Sequence, residues 1–106
     1  MALKITFLGH AAFLLSDGKE SIAIDPFLSG NPVASAKPEE IEVEYVALTH
    51  GHPDHFGDTL DILKRNDATF IAANEIALYV GEEGIEKIEP GNPGGTISTS
   101  FGSVSF

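Results

Sequence analysis

Three of the four histidines in this 106-residue chain fall within one run of seven residues, Thr49-His50-Gly51-His52-Pro53-Asp54-His55. A packed core gains nothing from three neighbouring imidazoles, so this run must sit where side chains can converge in an open loop. Neutral imidazole nitrogens and a carboxylate oxygen are ligands that zinc and related first-row ions accept. The run therefore reads as a metal site, against the blander alternative of a polar loop with chance histidines. Val43-Glu44-Tyr45-Val46-Ala47-Leu48-Thr49 reads as the strand that leads into it, and Gly51 with Pro53 breaks that strand. His50 and His52 share a parity and can face one ion, while Pro53 bends the chain so that Asp54 and His55 can face a second. Downstream, Asp58 is the expected N-cap of a short helix over Thr59–Lys64. The ligands thus lie on a strand-to-helix loop.

The rest of the chain reads as strands first, then strands alternating with helices. Leu3–Leu8, Ala12–Leu15 and Ile22–Asp25 alternate like strands, with Asp17-Gly18 as a turn, and together suggest an antiparallel meander. The connection from Pro26 to Pro38 shows no clear element, and Phe27, Leu28, Gly30, Asn31 and Pro32 within it are candidates to line a substrate pocket. Ala68–Ala73 reads as a short strand, and Asn74 is the expected cap of a helix over Glu75–Gly81. Gly91-Asn92-Pro93-Gly94-Gly95 is a turn-rich connector to a final hairpin, Thr96–Phe106. Asp25, placed between a strand and Pro26, either ends the strand in an Asx turn or hydrogen-bonds a ligand histidine and fixes its tautomer.

Composition narrows the function classes. A formal charge of −10 and the lack of a basic patch argue against nucleic acid or an anionic membrane surface as partner. The acidic run Glu39–Glu44 and the pair Glu82-Glu83 read as solvated faces. No cysteine is present, which removes disulfides, thiolate ligands and a cysteine nucleophile together. Met1-Ala2-Leu3-Lys4-Ile5 reads as the start of a strand rather than a secretory leader, and no apolar run approaches a membrane span. A cytoplasmic protein is the expectation.

The spacing His50-x-His52-x-Asp54-His55 resembles the H-x-H-x-D-H motif of the metallo-β-lactamase superfamily at every ligand position. Two further segments sharpen the resemblance: Phe7-Leu8-Gly9-His10-Ala11-Ala12-Phe13-Leu14-Leu15 and Ile22-Ala23-Ile24-Asp25-Pro26-Phe27-Leu28. Together they resemble the branch of metal-dependent hydrolases related to ascorbate-6-phosphate lactonase and the N-acylethanolamine phospholipases. Histidine at position 52 sets the chain apart from the flavodiiron branch, which carries Glu there.

The resemblance implies an αββα sandwich of mixed α/β class, with residues 1–106 as its N-terminal half. It assigns His50 and His52 to a first metal, and Asp54 and His55 to a second. It also implies a binuclear centre, with zinc expected first and manganese, iron or nickel compatible, and Asp54 as the catalytic carboxylate. Hydrolysis of a small lactone, ester, amide or phosphodiester follows. Asp25 then supports a ligand histidine from behind. The loop holding His10 is placed near the metals, although a lone histidine there can equally be structural. Superfamily members add another His, a bridging Asp and a final His further along, whereas no histidine follows His55 here. The isolated chain is therefore expected to be inactive and to pair with a C-terminal half or a second copy. A non-catalytic metal-binding or assembly module is the alternative.

Overall fold

Alternation of large apolar residues sets up the N-terminal strands, and the computed structural model, which describes residues 3–92, 94–100 and 102–106, forms them where expected. Strand β1 (Lys4–Gly9), β2 (Ala12–Ser16) and β3 (Ser21–Ile24) make an antiparallel meander. The β2–β3 turn is built on Asp17, whose carboxylate accepts the amides of Glu20 and Lys19 and is held below the usual carboxylate range by those two bonds, Glu20's first. Strands β4 (Tyr45–Ala47), β5 (Thr69–Ala73) and β6 (Ile88–Gly91) then add in parallel, giving one six-stranded sheet in sequence order. A separate hairpin, β7 (Thr96–Thr99) with β8 (Gly102–Ser105), closes the described chain. Met1 and Ala2 of the first expected strand, Pro93 of the connector and Phe101 of the hairpin lie outside the described residues.

Register decides which side chains share a face. Ile5 pairs with Leu15, Phe7 with Phe13, Phe13 with Ile24, Ile24 with Ala47 and Ala47 with Ile71, so all of these point to one side of the sheet. The other side carries Leu14, Ala23, Val46, Phe70 and Ala72. Against it pack Ile62 and Leu63 of helix α2 (Thr59–Asn66) and Ala77 and Val80 of helix α3 (Asn74–Glu82), with Leu28, Ile41 and Val43 from the long connection. This is the main core. The opposite face is only partly covered: Val104 and Phe106 of the hairpin approach Ile24, Ala47 and Ile71 across a cavity of about 420 Å³, while Ile5 and Phe7 stay exposed.

Several elements differ from the sequence reading, each for a local reason. The expected strand Val43–Thr49 is regular only over Tyr45–Ala47, although the flanking Glu44 and Leu48 still bond the neighbouring strands and Val43 and Leu48 are buried. Strand β6 was not expected; it contains Pro90, which lacks an amide donor and is tolerated because β6 is the edge of the sheet. Asp58 stands at the start of α2, yet its carboxylate does not cap the helix. It accepts the amides of Leu28 and Ser29 at 3.0 and 2.8 Å and ties the long connection to α2. Asn74 is the first residue of α3 rather than its cap, since β5 runs into the helix with no loop and Ala73 takes the cap position. Within the connection, Leu28 and Asn31 are buried, and Asn31 bonds the Phe27 carbonyl and the Val33 amide, so both serve the fold rather than a pocket.

Strand direction places the site. Strands β1 and β3 run the same way because each is antiparallel to β2, and β4 and β5 are parallel to β3. The carboxyl ends of β1, β3, β4 and β5 therefore line one edge of the sheet, the usual place for a ligand in such sheets. That edge gathers His10, Asp25, the Thr49–His55 run and the start of α3.

Candidate metal centre

Each site residue is delivered by a strand end and then locked. Beyond Leu48, whose amide still bonds Ile71 O at 3.1 Å, the chain leaves the sheet, and Pro53 opens a one-turn helix, α1 (Pro53–Phe56), with His52 in the cap position. Proline suits this first helical position because its missing amide donor has no partner to lose there. The motif expected as a plain loop is thus a loop followed by a helical turn. Gly57 ends the turn at φ 44°, and a Cβ there would lie 2.4 Å from Phe27 Cα, so the crossing of the two segments requires glycine.

The run brings its imidazoles together. His50 and His52 meet edge to face with ring centres 4.7 Å apart, and His50 and His55 lie 4.0 Å apart. Asp54 Oδ1 is 4.0 Å from His55 Nε2. From the end of β1, His10 places Nε2 3.5 Å from Asp54 Oδ2, with its ring 5.4 Å from that of His55. The ligand atoms of His10, Asp54 and His55 all fall within 4.8 Å of one another.

Asp25 is the buried anchor of this cluster, with only 2% of its surface exposed. Its Oδ1 accepts the Thr49 amide at 2.8 Å, and its Oδ2 accepts the Thr49 hydroxyl at 2.6 Å and His55 Nδ1 at 2.9 Å. A carboxylate bonded to Nδ1 holds the proton on that nitrogen and leaves the Nε2 lone pair of His55 free for a cation. Thr49 extends the same control to His50. Its single hydroxyl proton goes to Asp25, so its contact with His50 Nδ1 at 2.8 Å has the imidazole donating, and Nε2 of His50 is again the free lone pair. Of the two bonds open to Asp25 on sequence grounds, its carboxylate makes the one to a histidine, His55. The part played by Thr49 went unassigned in the sequence; its only signal there is a hydroxyl residue directly before the first histidine.

This donor set, neutral imidazoles with oriented lone pairs beside a carboxylate, fits a divalent cation. An apolar cavity of about 490 Å³, lined by Gly51, Pro53, Phe56, Glu75, Ile76 and Tyr79, adjoins the motif between α1 and α3.

The profile of the beta-lactamase superfamily domain matches residues 4–89, which include every residue of this centre. The chain belongs to the metallo-β-lactamase superfamily. Among its curated relatives is a UPF0173 metal-dependent hydrolase of Brucella ovis, 47% identical over 107 residues, a match that takes in 98% of this chain and 45% of the relative. Another, from Methanopyrus kandleri, is 48% identical over 95 residues, covering 90% of this chain and 41% of the relative. The chain thus spans less than half the length of the curated relatives it matches. Among solved structures, the metallo hydrolase Igni18 of Ignicoccus hospitalis superposes with a TM-score of 0.83 at 32% identity, over 93% of this chain and 43% of that one. The metallo-β-lactamase SMB-1 shares the fold with a TM-score of 0.68 at 20% identity, over 93% of this chain and 48% of its own. The mixed α/β fold is therefore that of the superfamily, whose metal-dependent hydrolase branch includes the curated relatives. No helix among the described residues is long and apolar enough to cross a membrane.

Proposed function

We propose that this chain carries the N-terminal ligand set of a binuclear metal-dependent hydrolase. The observation that supports this reading best is the Asp25 carboxylate, which bonds His55 directly and His50 through Thr49 so that both keep Nε2 as the free lone pair. In the proposed arrangement His50 and His52 serve one ion, and Asp54 and His55 serve a second. Bound ions of this kind supply a water acidified toward neutral pH and a Lewis acid for the substrate oxygen. Zinc is the first choice, with manganese, iron and nickel compatible with the donor set.

The chain's own residues then hold and orient. Asp54, with half of its side chain exposed, faces the opening and is placed to orient the attacking water and take part in proton transfer. The adjoining cavity offers an apolar, aromatic-walled surface of a size that suits a small substrate. A lactone, ester or phosphodiester with an apolar portion fits this reading. The remaining ligands would come from a C-terminal half, as the share of each relative covered suggests.

The test is hydrolysis of a panel of lactones, esters and phosphodiesters by the zinc-loaded chain, expressed alone and together with any reading frame that follows Phe106. Turnover in the joint preparation that is lost in Asp54→Ala, with the circular dichroism unchanged, is the expected result. Retained turnover in that variant with both ions bound would remove Asp54 from the mechanism. Metal binding without turnover in either preparation would favour a non-catalytic module.

A further inference from the structure

The chain's fourth histidine lies far from the motif in sequence and next to it in space. His10 follows a bulge at the end of β1, where the register slips between Phe7 and Gly9. It takes a left-handed backbone conformation, φ 60°, which non-glycine residues avoid. The turn is pinned from outside: Gly9 has φ 113°, and a Cβ on it would lie 2.5 Å from the Val33 carbonyl oxygen. Ser35 also donates its amide to Leu8 O at 3.0 Å. The imidazole itself stands edge-on to Phe27, ring centres 5.8 Å apart. An exposed contact to Asp54 is too weak a reward for this much local constraint. Strained backbone that persists in this way gathers at functional sites.

The separations suit one ion. Ligand atoms about 2.1 Å from a tetrahedral metal lie about 3.4 Å from each other. His10 Nε2 is 3.5 Å from Asp54 Oδ2, His55 Nε2 is 4.0 Å from the other Asp54 oxygen, Oδ1, and one ligand atom from each of the three residues lies within 4.8 Å of the other two.

We propose that His10 Nε2 ligates the same cation as Asp54 and His55, so that this chain by itself carries a three-ligand cation site with one position left open. The inference rests on the metal reading of the motif and adds a ligand from outside it. Three protein ligands plus an open position is the pattern of a catalytic rather than a structural ion. The trio is then the tighter half of the centre in this chain, and the His50–His52 pair the weaker one.

The experiment is a titration of the 106-residue chain with cobalt(II), followed by its visible absorption, with zinc calorimetry in parallel. His10→Asn is the first variant, because asparagine accepts left-handed backbone and keeps the turn; His10→Ala is the second. Both should weaken zinc binding by about tenfold or more, since even groups behind a ligand are worth that much. Both should also alter the cobalt spectrum, whereas His50→Ala with His52→Ala keeps one ion and its band. Unchanged affinity and spectrum in a folded His10→Asn chain would overturn the ligand role and leave the motif reading standing. Binding abolished by His50→Ala with His52→Ala but untouched by His10→Asn would place the ion on the other pair. No cobalt or zinc binding by the unaltered chain would overturn both readings.

Discussion

The hydroxyl of Thr49 lies 2.6 Å from the Asp25 carboxylate and is thereby committed as a donor, which makes His50 the donor in the 2.8 Å contact on its other side. One buried carboxylate in this way sets the tautomers of two histidines, His55 by direct contact and His50 through a hydroxyl. Thr49→Val keeps the shape and removes the relay. His50 is then free to carry its proton on either nitrogen, and the zinc affinity of the His50–His52 pair should fall by about tenfold. Thr49→Ser should restore it. Nitrogen chemical shifts of the His50 ring, read by NMR in the metal-free chain, check the tautomer independently of affinity.

Asp25 itself holds φ 48°, a conformation asparagine tolerates and alanine does not. Asp25→Asn should therefore keep the backbone while losing the full charge that His55 and Thr49 donate to, so metal affinity drops 10–100-fold with only a modest change in melting temperature. Asp25→Ala adds strain and leaves buried donors unpaired, and should cost about 1–3 kcal/mol of stability as well. Equal stability losses in the two variants would show that strain is not part of the design.

Gly57 offers a test of how the long connection is fastened to the motif. A methyl group at this position would meet Phe27 Cα at 2.4 Å and the Pro26 carbonyl at 2.7 Å, both backbone atoms that cannot swing aside. Gly57→Ala should lower stability by about 1–3 kcal/mol in a denaturant titration. It should also displace Phe27 and with it the ring against which His10 rests. Loss of metal affinity in this variant, which carries no ligand atom of its own, is the expected signature.

The parts of this molecule written in local pattern could be read in advance. The meander of β1 to β3 follows from alternation, and the ligand run announces itself by density of imidazoles. What could not be read depends on contacts distant in sequence. Asp58 has the position of a helix cap, but the amides of Leu28 and Ser29 compete for its carboxylate and win. Pro90 argues against a strand unless the strand is known to be an edge. The family resemblance puts the His10 loop near the metals, but its contact with Asp54 needs the direction of β1 relative to β4, which no window around either residue contains. Asp25 is intermediate: its type and place raise two roles, and the hydrogen bond to a histidine that one of them needs is visible only once the fold brings Thr49 and His55 to its carboxylate.

The sheet's second face leads to a prediction about association. Leu3, Ile5 and Phe7 are 61%, 62% and 57% exposed, and Phe13 and Leu15 beside them are only half-buried. The β7–β8 hairpin lies over the β3–β5 side instead, and even there it leaves a cavity of about 420 Å³. A contiguous apolar strip of this kind on a sheet normally faces a second layer. The chain alone should therefore cover it by pairing with a second copy, and a C-terminal half of the domain, where supplied, should compete for the same face. Light scattering across a range of concentrations should show the average mass rising above that of one chain. Ile5→Lys with Phe7→Lys should return it to the monomer without changing zinc affinity, because both side chains lie on the sheet face and neither touches the ligand cluster. A cooperative, monodisperse monomer at every concentration would mean that the hairpin and solvent satisfy this face unaided, and the need for a second half would fall with it.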